Sequence, residues 1–108
     1  MTKYLLIQSR DPFDSGRAAS DYELASSLAQ KGHEVSMFLI QNGVLAARKS
    51  AHFNGLQKAA QSGVRMLADE FSLRERGIQG SHLAEGVQSA PLDRVVDQLA
   101  EGRTALWL

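Results

Sequence analysis

The feature that most constrains this chain is its alternation of short apolar runs with segments of helical periodicity. Tyr4-Leu5-Leu6-Ile7 is a continuous apolar run of strand length. Val35-Ser36-Met37-Phe38-Leu39-Ile40 and Val64-Arg65-Met66-Leu67-Ala68 are two more. Between the first two, Ala18, Tyr22, Ala25, Leu28 and Ala29 recur at three- and four-residue spacing. That spacing draws one apolar stripe along a helix from Arg17 to Lys31. Mostly apolar runs suit strands that are buried on both faces. Strands alternating with helices predict an α/β domain with a parallel sheet, covered on both sides and joined by right-handed crossovers.

Glycine and proline punctuate this pattern. Pro12 breaks the loop Gln8 to Gly16, and Gly32 suits the end of the first helix. Asn42-Gly43 closes the second strand. Val44 to Lys49 then suits a short helix, and Phe53 to Ser62 another. Phe71 to Arg76 reads as a short helix stopped at Gly77. From Ile78 to Gly86 the pattern is weakest, with a short fourth strand expected within His82 to Val87. Pro91 fits the first turn of a last helix, with Ser89 as its N-cap. Leu92, Val95, Val96 and Leu99 are expected on that helix's buried face, and Thr104 to Leu108 forms a final strand. The sum is about five strands in a single domain, 1–108, without internal repeat or linker.

Composition narrows the function. The 108 residues suffice for one domain, and a hydrophobic fraction of 44% supports a real core. Domains this small bury a smaller share of their surface, so a homo-oligomer is expected. Twelve basic and twelve acidic residues cancel, leaving no footprint for nucleic acid or an anionic membrane. There is no cysteine. Disulfides, thiolate metal sites and thiol catalysis by this chain are therefore excluded. A cytoplasmic location is the default expectation, with no apolar run near the roughly 18 residues of a membrane span and no signal-peptide form at Met1-Thr2-Lys3-Tyr4.

Candidate site residues lie where strands end. The third strand runs straight into Asp69-Glu70, and ligands of open α/β sheets gather beyond the carboxyl ends of strands. Asp69 has two readings. It is a good N-cap for the following helix, supported by Glu70 in the first turn. It is also a candidate acid or base, with Glu70 or His52 as helper, which needs a raised pKa and a positioned partner. The first loop holds only Gly16, so neither a dinucleotide fingerprint nor a phosphate loop is present. Asp14 or Ser15 caps the first helix, or Ser15, Gly16 and nearby amides hold an anion. His33, His52 and His82 lack metal-ligand spacing, so no metal and no cofactor are expected. Arg65, Arg74 and Arg76 flank the acidic pair and suit local ion pairs or an acidic partner.

Taken in order, three segments carry a resemblance that spans nearly the whole chain. They are Asp11-Pro12 through Arg17-Ala18-Ala19 with Leu28-Ala29-Gln30-Lys31-Gly32-His33-Glu34-Val35; Phe38-Leu39-Ile40-Gln41-Asn42-Gly43-Val44; and Gly63 to Ile78. The chain resembles the DsrE/DsrF/TusD-like group of small sulfur-relay proteins. The resemblance implies a three-layer α/β/α fold with a mainly parallel sheet, and assembly into oligomers. It also implies a ligand-binding region around Asp14, Ser15, Gly16, Asn42, Gly43, Asp69 and Glu70. In that family the strand before the short helix typically delivers a cysteine that carries persulfide sulfur, and Asp69 stands in its place. A carboxylate cannot form a persulfide, because the chemistry needs a thiolate. The resemblance therefore implies a non-catalytic member linked to sulfur relay that acts by binding, as a partner of a sulfur-carrier protein, as a subunit of an assembly or as a binder of a small anionic ligand. A small enzyme using Asp69 and a purely structural oligomer subunit are the alternatives.

Overall fold

In the computed structural model, which describes residues 1–108, five strands pair side by side and all in parallel. They are β1 (Lys3–Gln8), β2 (Glu34–Leu39), β3 (Arg65–Asp69), β4 (Val87–Ala90) and β5 (Thr104–Trp107), in the order β4-β3-β2-β1-β5. The helices are α1 (Gly16–Gln30), α2 (Asn54–Gln61), α3 (Glu70–Glu75) and α4 (Asp93–Ala100). Between β2 and α2, where a short helix was expected over Val44 to Lys49, the chain forms 3₁₀ helices at Gln41–Ala47 and Lys49–Ala51.

The core forms on both faces of the sheet. On one face, Leu6, Met37, Leu39, Met66 and Ala68 pack with Tyr22 and Ala25 of α1, Leu56 and Ala59 of α2, and Leu73 of α3. On the other, Leu5, Ile7, Phe38, Leu67 and Ala90 meet Val95 of α4. Consecutive strand residues point to opposite faces, so these near-continuous apolar runs feed both layers.

The second layer is one helix deep. Five strands span about 20 Å and a helix covers about 10 Å of that. This changes the expected inward face of α4. Val95 and Gln98 are the buried residues, while Leu92, Val96 and Leu99 are exposed. The Leu92–Val96–Leu99 stripe falls on a flank of the helix, beside the face that meets the sheet.

Two other local expectations are corrected. The fourth strand is Val87–Ala90 and not within His82 to Val87, because the ladder to β3 runs from Met66↔Val87 to Asp69↔Ala90. Ser89 therefore lies in the sheet and caps nothing; Leu92 occupies the N-cap position of α4 without a side-chain cap bond. The remaining helix and strand bounds differ from expectation by one or two residues, the usual uncertainty of element ends. No helix is long and apolar enough to cross a membrane.

Candidate functional site

The site is built at the carboxyl end of β3. Asp69 is the last residue of that strand and the N-cap of α3, with extended φ and ψ of −64° and 122°. Its Oδ2 accepts two hydrogen bonds, from the Ser72 N–H at 3.0 Å and from the Ser72 hydroxyl at 2.7 Å. Asp69 is 8% exposed and Ser72 is 3% exposed. The carboxylate thus satisfies a helix-start amide that has no partner inside the helix. Glu70 follows in the first turn, exposed to solvent. The capping reading of Asp69 is the one the geometry realises. Neither Glu70 nor His52 hydrogen-bonds to it.

Ser72 links this cap to the loop after β2. Its hydroxyl oxygen accepts the N–H of Gln41 at 2.9 Å. Gln41 has φ of +51°, a left-handed conformation that a side chain makes unfavourable. The Asp69–Ser72–Gln41 chain of hydrogen bonds holds that residue in place. Beside it, Arg76 at the end of α3 donates to Asn42 Oδ1 from Nε and Nη2, at 3.3 and 3.0 Å. Its Nη1 also donates to the Ser72 carbonyl at 3.1 Å. Two contacts, 31 and 34 residues apart in sequence, thereby clamp the β2 loop to α3.

Gly43 completes the junction. A Cβ there would collide with the Gln8 carbonyl oxygen and lie 3.1 Å from its carbon. Only glycine lets the β2 loop approach β1 so closely. Gln8 itself is fully buried. Its Nε2 donates to Asp21 Oδ2 at 2.8 Å, and its Oε1 accepts the Arg10 N–H at 3.0 Å. Sequence reading passed over Gln8; the available signal was a polar residue directly at the end of an apolar strand.

Of the predicted site residues, Asn42, Gly43, Asp69 and Glu70 share this junction, while Asp14, Ser15 and Gly16 make no hydrogen bond to it. Ser15 is the N-cap of α1 but makes no side-chain cap bond. Asp11 organises that loop instead, accepting the Phe13 N–H on Oδ1 and the Asp14 and Ser15 amides on its carbonyl. Arg76 forms the expected local pair with Glu75 at 3.7 Å; Arg65 and Arg74 form none. His33 accepts the Thr2 N–H and stacks edge-on against Tyr4, a structural role.

On the outer side of α3 lies an open groove of about 630 Å³. Glu70, Leu73 and Arg74 line it from the helix, Gly77 to Gly80 from the following loop, and Ser89 from β4. Here the connections leaving β3 and β4 pass to opposite faces of the sheet, which opens a cleft at the strand ends. Asp69 does not itself line the groove; its chain neighbour Glu70 does. No group of three His, Asp or Glu is arranged to hold a metal ion.

An all-parallel sheet with helices on both faces, and a helix-start site at the end of its third strand, defines a small α/β protein of the DsrE-like kind. A family model for the DsrE/DsrF-like family matches residues 2–108, and the chain belongs to that family. Among solved structures, the ychN protein from E. coli superposes with a TM-score of 0.90 at 18% identity, over 100% of both chains. MTH1491 from Methanobacterium thermoautotrophicum, a protein of unknown function, gives 0.82 at 20% identity, also over 100% of both chains. BT1422 from Bacteroides thetaiotaomicron, likewise of unknown function, gives 0.78 at 17%, over 98% of this chain and 94% of that one. These likenesses establish the fold. No curated protein matches the chain.

Proposed function

We propose that this protein works by binding, as a cysteine-free DsrE-like subunit linked to sulfur relay. One observation carries the reading. The carboxylate of Asp69, the residue that the resemblance sets in the place of the family's sulfur-carrying cysteine, is spent on capping α3. With no cysteine anywhere in the chain, no residue can accept a persulfide. What remains is a scaffold with a groove beside the helix start. Its occupant is a small anionic sulfur species or a segment of a sulfur-carrier protein. Arg74 in the groove and Arg76 at the clamp supply positive charge, and the Asp69 carboxylate opposes an anion placed close to it.

Removing that opposing charge should tighten anion binding. Asp69→Asn keeps the cap acceptor, and Asp69→Ala removes it. Titration with sulfate or thiosulfate, read by calorimetry, should show both variants binding about three- to tenfold more tightly than wild type. Unchanged or weaker binding in both would sink the idea. Capture of a sulfur-carrier partner from native extract, lost on Arg74→Glu, would establish the protein-segment form of the ligand.

A further inference from the structure

We propose that the α4 face of the sheet, beside the open edge strand β5, is a twofold interface whose occupant is a second copy of this chain. This face is separate from the β3 groove, and the proposal does not rest on the reading given for that groove. The two faces of the sheet are unequally covered. One core cluster holds 18 buried residues and the other only 6. The smaller cluster has a single helix over it, and what stays bare is the β1–β5 side. Register places Ala105 and Trp107 of β5 beside Leu5 and Ile7 of β1, which belong to the smaller core. Residues paired in a parallel ladder share a face of the sheet. Ala105 and Trp107 therefore stand on the α4 side, and both are exposed.

The apolar stripe of α4 borders the same ground. Successive helical residues turn by about 100°, so Arg94 and the Leu92–Val96–Leu99 stripe lie on opposite flanks of the buried Val95 and Gln98. Arg94 lines a cavity with Arg65 of β3 and Gln88 of β4. That flank faces β3 and β4, and the stripe therefore faces β1 and β5. Four of the chain's exposed large hydrophobic side chains meet here: Leu92 at 60%, Val96 at 62%, Leu99 at 47% and Trp107 at 72%. Together they leave roughly 400–500 Å² of apolar surface in water, the size at which a patch marks an interaction site. Two copies meeting here cover twice that area. With the usual apolar share of about 55–65%, the whole interface reaches about 1,500 Å², which is what a specific dimer needs. Permanent homodimer interfaces resemble a domain core cut in half, and the small cluster under α4 has that form. Val96 sits midway along the stripe. A twofold axis near it sets Leu92 of each copy against Leu99 of the other, the self-complementarity that such an interface demands.

The chain's single tryptophan and its lack of cysteine make the test direct. Sedimentation should show self-association at about 50 µM protein, with a Kd of about 10 µM or below. On dilution through that range, Trp107 emission should shift to the red as the ring returns to water. Val96→Asp sets two like charges at the axis and should weaken association about 100-fold or more. Val96→Cys carries the only thiol of its chain. It should form a disulfide-linked dimer under mild oxidation, because a residue near a twofold axis brings its two Cβ atoms within about 4 Å. Ser81→Cys, exposed in the turn before β4, should cross-link at least about tenfold more slowly. Val96 is exposed, so its variants keep the fold, as far-UV circular dichroism will show. Three results would overturn the proposal: a monomer at about 100 µM, an assembly whose mass Val96→Asp leaves unchanged, or Trp107 emission that is the same in monomer and assembly.

Discussion

Replacing Asp69 by alanine should cost the protein about 2–3 kcal/mol, although it removes only one small side chain. The Ser72 N–H loses its acceptor, a helix-cap loss of about 1 kcal/mol. The buried Ser72 hydroxyl loses a charge-assisted bond of 2.7 Å, a type that contributes about 1.5–3 kcal/mol. Both bonds end on the same oxygen, so their contributions overlap and the total falls below the sum. For a chain of 108 residues this corresponds to a fall in Tm of about 8–12 °C. Asp69→Asn keeps a carbonyl oxygen at the cap and should cost about 1 kcal/mol or less. Urea unfolding followed by circular dichroism measures both. Pairing Asp69→Ala with Ser72→Ala then tests the mechanism. The double variant should be about 1–2 kcal/mol more stable than the two single losses predict, since Ser72→Ala removes the hydroxyl that Asp69 serves. A loss under about 0.5 kcal/mol for Asp69→Ala, or strict additivity in the cycle, would refute the cap as the residue's role.

Gly43→Ala drives a methyl group into the Gln8 backbone, which cannot move without disturbing β1. A loss of about 2–3 kcal/mol is expected in the same unfolding assay, and a neutral result would show that the β2 loop has room. Tyr22 offers the opposite sign. Its hydroxyl is buried without a hydrogen-bond partner. Tyr22→Phe should therefore be neutral or stabilising by up to about 1 kcal/mol near neutral pH. Burial pushes the Tyr22 phenol above its ordinary value of 10.0, and the Asp11 charge pushes the same way. The unfolded chain then releases this proton first as pH rises. Stability is fully present below about pH 10 and is lost above it, at about 1.4 kcal/mol per pH unit from this group. The Tyr22→Phe variant should lack that increment; equal slopes for the two proteins between about pH 10 and 11 would refute the assignment.

The sequence by itself determined what depends on neighbours within a helical turn or along one strand. The apolar runs at Tyr4–Ile7, Val35–Ile40 and Val64–Ala68 became β1, β2 and β3 within a residue. The Arg17–Lys31 stripe became α1, and Asp69 became the cap of a helix that begins at its side. Each of these rests on a backbone periodicity or a bond spanning three residues, which local order alone can specify. The pattern failed where local order is silent. Val87–Ala90 has no apolar run, and it became a strand because β3 supplies a ladder beside it. The stripe Leu92–Val96–Leu99 is regular, yet periodicity cannot say which side of a helix meets the sheet. In the folded sheet that side is the one carrying Val95 and Gln98.

The candidate site divides along the same line. Asp69 and Glu70 were visible as a strand running into carboxylates. The partners that give Asp69 its surroundings were not: Ser72 reaches Gln41 and Arg76 reaches Asn42 across more than thirty residues. Gly43 was visible as a turn residue, whereas its contact with Gln8 depends on β1 and β2 lying side by side. The apolar face shared by α4 and Trp107 forms because β5 pairs with β1, which joins the last strand to the first. Strand order and register place residues far apart in sequence within reach of one another, and those are properties of the folded sheet that no window along the chain contains.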